Sequence, residues 1–316
     1  MNTGKVMRST GSWYEVLETV SMKTFACRLA GKMKLEHRDL TNPVAVGDVV
    51  EFEPEGETNG IIHSIGTREN YIARESPRNK HQLHLLASNV DQVLLITTLI
   101  QPHYKAGFVD RFLLLTEPQN IPVIIAFHKS DLWQEEERLF FEEQVGIYKG
   151  ITRSVISTSL FDEREINLLA SLLQDKTTLI SGQSGVGKSS VLNILYPQLK
   201  LKTGEISESS GKGTHTTTFA EMFSIDTGHF IIDTPGIKTL SYNNLSTMDV
   251  AHNFREFFQY SQNCKFGGAC LHRNEPYCAV LQALAEGQIS PIRYQNYLNI
   301  LDEIEGKNYW ERKKNF

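Results

Sequence analysis

Thr178-Leu179-Ile180-Ser181-Gly182-Gln183-Ser184-Gly185-Val186-Gly187-Lys188-Ser189-Ser190 runs from an apolar stretch, through a glycine-rich loop, into the helical sequence Val191-Leu192-Asn193-Ile194-Leu195. Strand, loop and helix in that order are the setting of a phosphate-binding loop. Glycines at 182, 185 and 187 let backbone N–H groups approach phosphate oxygens, with Gln183, Ser184 and Val186 between them. The start of the following helix adds positive potential. Lys188 is placed to reach the β- and γ-phosphates and Ser189 to ligate Mg²⁺. A loop of this kind belongs to a parallel sheet with helical crossovers, so the middle of the chain is predicted to be α/β.

The motifs around this loop come in an unusual order. Downstream lie His215-Thr216-Thr217-Thr218 and then Asp233-Thr234-Pro235-Gly236. Upstream lies Phe127-His128-Lys129-Ser130-Asp131, a near match to the Asn-Lys-x-Asp sequence that reads guanine. An ordinary GTPase runs phosphate loop, threonine switch, Asp-x-x-Gly, then base reader. Here the base reader comes first, so the domain is predicted to be circularly permuted.

Each motif carries a chemical expectation. Asp131 can accept hydrogen bonds from the N1–H and exocyclic amine of guanine, which adenine does not offer. Lys129 can lay its stem along the base. His128 stands where an Asn is usual, and an imidazole donates one bond without an amide's paired donor and acceptor. Ser157, in Ser157-Thr158-Ser159, is expected to back the base. Asp233 ends an apolar strand and is expected at the sheet edge beside Mg²⁺. Thr216 or Thr217 is the expected switch ligand of that ion, with Thr217 preferred here, and Gly236 the γ-phosphate sensor. Ile237 occupies the position where many GTPases carry a water-orienting Gln, so unaided hydrolysis should be slow. His215 is the internal candidate to position water, with a solvent-facing loop histidine as the alternative.

The 316 residues have room for more than one domain, and their formal charge of −5 does not mark a nucleic-acid binder. Basic residues gather at the two ends, from Lys5 to Arg38 and in Arg312-Lys313-Lys314. No apolar run approaches the ~20 residues of a membrane span and no leader pattern opens the chain, which predicts a cytoplasmic protein. Residues 10–70 read as short alternating strands, among them Ser12–Thr19, Thr24–Leu29, Val49–Phe52 and Ile61–Ile65, and five in that length suggest an OB-fold β-barrel. Cys264, Cys270, His272 and Cys278 supply three thiolates and an imidazole within fifteen residues. Four soft donors fill a tetrahedral Zn²⁺ site and leave no open position, so one structural zinc is expected, in a mainly helical C-terminal domain. Cys27 stands apart as a small buried apolar residue. The expected domains are 1–71, 72–242 and 243–316.

The permuted order, together with the Cys264-x₅-Cys270-x-His272-x₅-Cys278 spacing, resembles one family over essentially the whole chain: the RsgA small ribosomal subunit biogenesis GTPases. The resemblance implies a late-acting assembly factor that binds the 30S subunit, contacts 16S rRNA, and hydrolyses GTP faster on the subunit than alone. It carries His128 to Asp131 for the base, Gly182 to Ser190 for the phosphates, and the Cys-Cys-His-Cys set for zinc. A monomer cycling between GTP and GDP is expected, with no membrane partner. Three rivals predict different behaviour. A P-loop ATPase or kinase would show no guanine preference. A GTP-regulated factor with another RNA target would ignore the 30S subunit. An RNA-binding module with a vestigial nucleotide core would tolerate loss of Lys188.

Overall fold

A computed structural model of the chain describes residues 1–31, 33, 42–75, 83–202, 220–234 and 245–313. Its N-terminal strands are β1 (Asn2–Ser9), β2 (Tyr14–Glu18), β3 (Thr24–Leu29), β4 (Val49–Glu55) and β5 (Asn59–Ile65). They pair in the order β1-β2-β3-β5-β4, and β4 returns to β1, so the ring is closed. Closure removes the unpaired edges that a small open sheet would present. Period-two burial fills the barrel: Phe25, Cys27 and Leu29 of β3 point inward with Val16, Phe52 and Ile62. Cys27 is fully buried there, and burial pushes its thiol up to about 11, as suits an inert core residue.

β6 (Tyr71–Glu75) and β7 (Leu83–Ser88) pair with each other, and a larger sheet follows. Its strands are β8 (Gln92–Thr98), β9 (Val123–His128), β10 (Ser154–Thr158), β11 (Thr177–Gly182), β12 (Glu221–Asp226) and β13 (His229–Asp233). Their order is β10-β9-β8-β11-β13-β12, parallel except for β12. The phosphate-loop strand β11 is therefore central although it is made after β8, β9 and β10. Between β8 and β11 the winding reverses direction, which is where open α/β sheets hold ligands.

Both faces of this sheet are covered. Val93, Leu95, Ile125 and Leu179 point to one side. Leu94, Ile96, Ile124 and Ile180 point to the other, against α3 (Glu163–Leu173) and α4 (Lys188–Leu195). On the first side lie α1 (Ala106–Thr116) and α2 (Glu135–Tyr148). The C-terminal helices α5 (Thr247–Asn253), α6 (Arg255–Ser261), α7 (Ala279–Ala285) and α8 (Pro291–Lys313) join that same core through Val250, Phe254, Phe257 and Tyr297. The C-terminal region is thus docked on the sheet's helical layer.

Two junctions fix the barrel to the rest. Arg8 of β1 pairs with Glu221 of β12. Buried Asp48 accepts from Arg68 Nε at 2.7 Å, Ser88 Oγ at 2.6 Å and Ala45 N–H at 2.8 Å, so its charge is fully bonded. The sequence reading of an α/β centre, a barrel before it and helices after it is what the structure contains. The strand Asn2–Ser9, the β6–β7 pair and the helices α5 and α6 are additions to it.

Candidate nucleotide and metal sites

The parallel strands bring three motifs to one sheet edge. β9 ends at His128, β11 at Gly182 and β13 at Asp233, and the registers Thr98↔His128, Gly182↔Ile96 and Ile180↔Asp233 set them side by side. Gly182 has φ 150° and a Cβ there would lie 2.2 Å from Ile96 O, while at Gly187, φ 98°, it would meet the His128 ring at 2.7 Å. The loop lies so close to its neighbours that only glycine fits at either position. Lys188 Nζ donates to Gly182 O and Gln183 O, each at 2.9 Å, so its ammonium is curled into the loop where phosphate oxygens would replace those carbonyls.

His128 is almost completely buried, and its Nδ1 lies 3.1 Å from both Thr158 O and Thr158 Oγ1. A carbonyl only accepts, so Nδ1 carries the proton. Burial lowers the pKa of the ring and keeps it neutral. Its ring is bonded to Thr158 on one side and lies against Gly187 on the other, so it braces the phosphate loop against β10. Lys129, in the left-handed region at φ 65°, donates to Gln101 O at 2.6 Å and Gly185 O at 3.1 Å, tying the base reader to the phosphate loop.

Asp131 accepts from Ser159 Oγ at 2.7 Å. The hydroxyl beside Asp131 is thus that of Ser159. Ser157 Oγ instead donates to Glu165, which also accepts from Ser130 Oγ at 2.8 Å. Glu165 of α3 therefore ties the loop after β9 to the end of β10, a role that no local motif announces. A cavity of about 470 Å³ opens here, with Asp131, Ser159, Phe161 and Glu165 among its walls.

Asp233 is half-buried at the end of β13. Burial pushes its carboxyl up to about 6, against the pull of Lys188 and with Glu221 adding to the rise. Burial likewise lowers the pKa of Lys188, with Asp233 opposing. A buried carboxylate that one lysine leaves undercompensated fits a hard divalent cation. Thr234 Oγ1 donates to Ile180 O at 3.0 Å and holds the end of β13 against β11. His215, Thr216, Thr217, Gly236 and Ile237 lie outside the described residues.

The C-terminal donors converge. Cys264 Sγ is 3.8 Å from Cys278 Sγ and 3.7 Å from His272 Nδ1, Cys278 Sγ is 3.4 Å from His272 Nδ1, and with Cys270 all four donor atoms fall within 4.8 Å of one another. Four ligands at tetrahedral zinc, with Zn–S of about 2.3 Å, stand about 3.8 Å apart, so the donor set fits that ion. Burial pushes the Cys270 thiol up to about 12, a cost that a bound dication reverses by taking the thiolate. Tyr294 and Tyr297 of α8 donate to His272 O at 2.8 Å and Leu271 O at 2.7 Å, holding the loop on the helix. Purified protein is expected to hold one zinc per chain by atomic absorption. Cys278→Ser should lose it and lower the thermal midpoint by about 5 °C or more. Wild-type protein without zinc after metal-replete expression would remove the assignment.

Comparisons with known proteins agree in length and order of parts. The sequence model of the RsgA GTPase family matches residues 65–243, and that of the RsgA N-terminal domain matches 3–62. The small ribosomal subunit biogenesis GTPase RsgA of Phocaeicola vulgatus is 40% identical over 306 residues, covering 97% of this chain and 98% of its own. The protein of that name from Flavobacterium psychrophilum is 41% identical, covering 95% and 92%. Among solved structures, YjeQ from Thermotoga maritima superposes with TM-score 0.77 at 30% identity, covering 96% of this chain and 99% of that one. YloQ, described as a circularly permuted GTPase, superposes with TM-score 0.74 at 30% identity, covering 97% and 96%.

Proposed function

The chain belongs to the RsgA family of circularly permuted GTPases, a family of ribosome biogenesis GTP hydrolases, and from that premise we propose that it acts late in maturation of the 30S subunit, bound to 16S rRNA. GTP hydrolysis on the subunit drives its release. The observation that carries this reading is the single sheet edge holding base reader, phosphate loop and Asp233, flanked by a barrel and a Cys₃His domain.

In this reading Asp131 and Lys129 take the guanine, the amides of Gly182 to Ser190 take the phosphates, and Lys188 moves from its loop carbonyls onto the β- and γ-phosphates. Ser189 and Asp233, with Thr217 from outside the described residues, would hold Mg²⁺, which supplies positive charge along the phosphate chain. His215 and Gly236 are proposed as water-positioning and sensing groups. Zinc is structural. The domain limits 1–71, 72–242 and 243–316, a monomeric state and a cytoplasmic location complete the proposal. Among the described residues no helix is long and apolar enough to cross a membrane.

The test is turnover of GTP and ATP with and without purified 30S subunits. Slow GTP hydrolysis that rises many-fold with 30S is expected, and Lys188→Ala should lower the stimulated rate by about 10²–10³. Turnover indifferent to 30S would point to another activating partner. A preference for ATP would overturn the base reading.

A further inference from the structure

Phe161 is 84% exposed, although it belongs to a loop fixed at both ends. Its N–H donates to Ser159 Oγ at 3.1 Å, and that hydroxyl donates its own proton to Asp131 at 2.7 Å. On the other side, the Asp162 carboxylate caps α3 by accepting from Arg164 N–H at 2.8 Å and Glu165 N–H at 3.3 Å. A bonded loop is thus presenting a large aromatic ring to water, on the wall of the cavity that also contains Asp131. An aromatic face of that size gains by burial against a flat apolar partner.

The flat partner follows from the neighbours. A base whose polar edge meets Asp131 has two faces. In the guanine reading the stem of Lys129 takes one of them, and its ammonium is anchored on Gln101 O and Gly185 O. We infer that Phe161 is the second jaw of the base site, its ring stacking on the purine face opposite Lys129. The inference rests on the guanine reading of Asp131. It assigns Phe161 affinity without discrimination, because every purine has a π-face. Ser159 joins the two functions, since one hydroxyl orients the carboxylate that discriminates and the backbone of the ring that grips.

Calorimetric titration of wild type, Phe161→Ala and Phe161→Tyr with GDP and ADP tests this. Phe161→Ala should weaken GDP about 5- to 150-fold, the range of one base–aromatic stack. The GDP-to-ADP ratio should stay unchanged, and Phe161→Tyr should restore binding. In Phe161→Trp, GDP should quench the added tryptophan emission, measured against wild type. The ring is exposed, so thermal midpoints of all variants should match wild type. If wild type prefers GDP while Phe161→Ala binds it equally well and the added tryptophan is not quenched, Phe161 is not a jaw. A changed GDP-to-ADP ratio in Phe161→Ala would show distortion of Asp131 rather than loss of a stack. If wild type shows no preference for GDP, the guanine reading itself fails.

Discussion

Arg293→Ala is expected to destabilise the protein by about 3–5 kcal/mol, the cost of leaving buried carboxylates without their cation. Arg293 is 2% exposed. Its Nη1 meets Asp110 Oδ1 at 2.7 Å, and its Nε and Nη2 fork onto the two oxygens of Glu256, both at 2.7 Å. Tyr148 and Asn296 also donate to Asp110. The guanidinium further lies 4.5 Å from the centre of the Phe254 ring. Asp110 belongs to α1, Glu256 to α6 and Arg293 to α8, so one side chain rivets the C-terminal helices to the nucleotide domain. Arg293→Lys should recover little, because an ammonium cannot make the planar fork. Replacing Arg293, Asp110 and Glu256 together by Met, Leu and Leu should recover part of the loss, since Tyr148 and Asn296 then lose their acceptor. Urea unfolding, with hydrogen exchange followed in α1 and α8, measures both. A loss below about 1 kcal/mol for Arg293→Ala would mean the cluster behaves as a solvated surface pair.

Asp131→Asn should turn the enzyme from GTP to XTP, with GTP weakened by about 10⁴, as expected when a polar site is left facing the wrong partner. Ser159 decides the orientation. Its oxygen already accepts from Phe161 N–H, so its own proton goes to the residue at 131. In the variant that proton selects the amide oxygen, and the amide NH₂ is turned toward the base. Guanine opposes it with another amine, whereas xanthine offers a carbonyl there. Competition between GTP and XTP in turnover assays gives the ratio. Unchanged GTP use by Asp131→Asn would place the base elsewhere, and equal loss of both nucleotides would indicate a collapsed loop.

The parts legible in the sequence are those whose chemistry is local. The phosphate loop, Asp233 and the Cys₃His set each occupy a short stretch, and β8, β9 and β11 announce themselves as apolar runs because both their faces are buried. β1 was hidden by Asn2, Thr3, Lys5 and Arg8, polar residues that hold strand geometry only because β2 and β4 pair with them. Which serine meets Asp131 is a matter of register: Thr158 pairs beside His128, which carries Ser159 past the strand end to Asp131 and leaves Ser157 facing Glu165. Arg293 and Asp110 lie 183 residues apart, and no periodicity relates them. The same holds for Glu165, whose carboxylate looks like any first-turn acid on a helix until two serines are seen to meet it.

The strand order also has a consequence for synthesis. In the finished sheet β8 is hydrogen-bonded on both sides, to β9 and to β11. During translation β8, β9 and β10 emerge first, and the second edge of β8 must wait for the segment Thr177–Gly182. At about 5–20 residues per second, the roughly 80 intervening residues take on the order of 4–16 s. Through that interval a bare apolar edge is offered to any passing strand. The nascent chain therefore carries β8, β9 and β10 unsealed, and the arrival of the phosphate-loop strand covers that edge while passing an open one to β11, which β13 covers in turn.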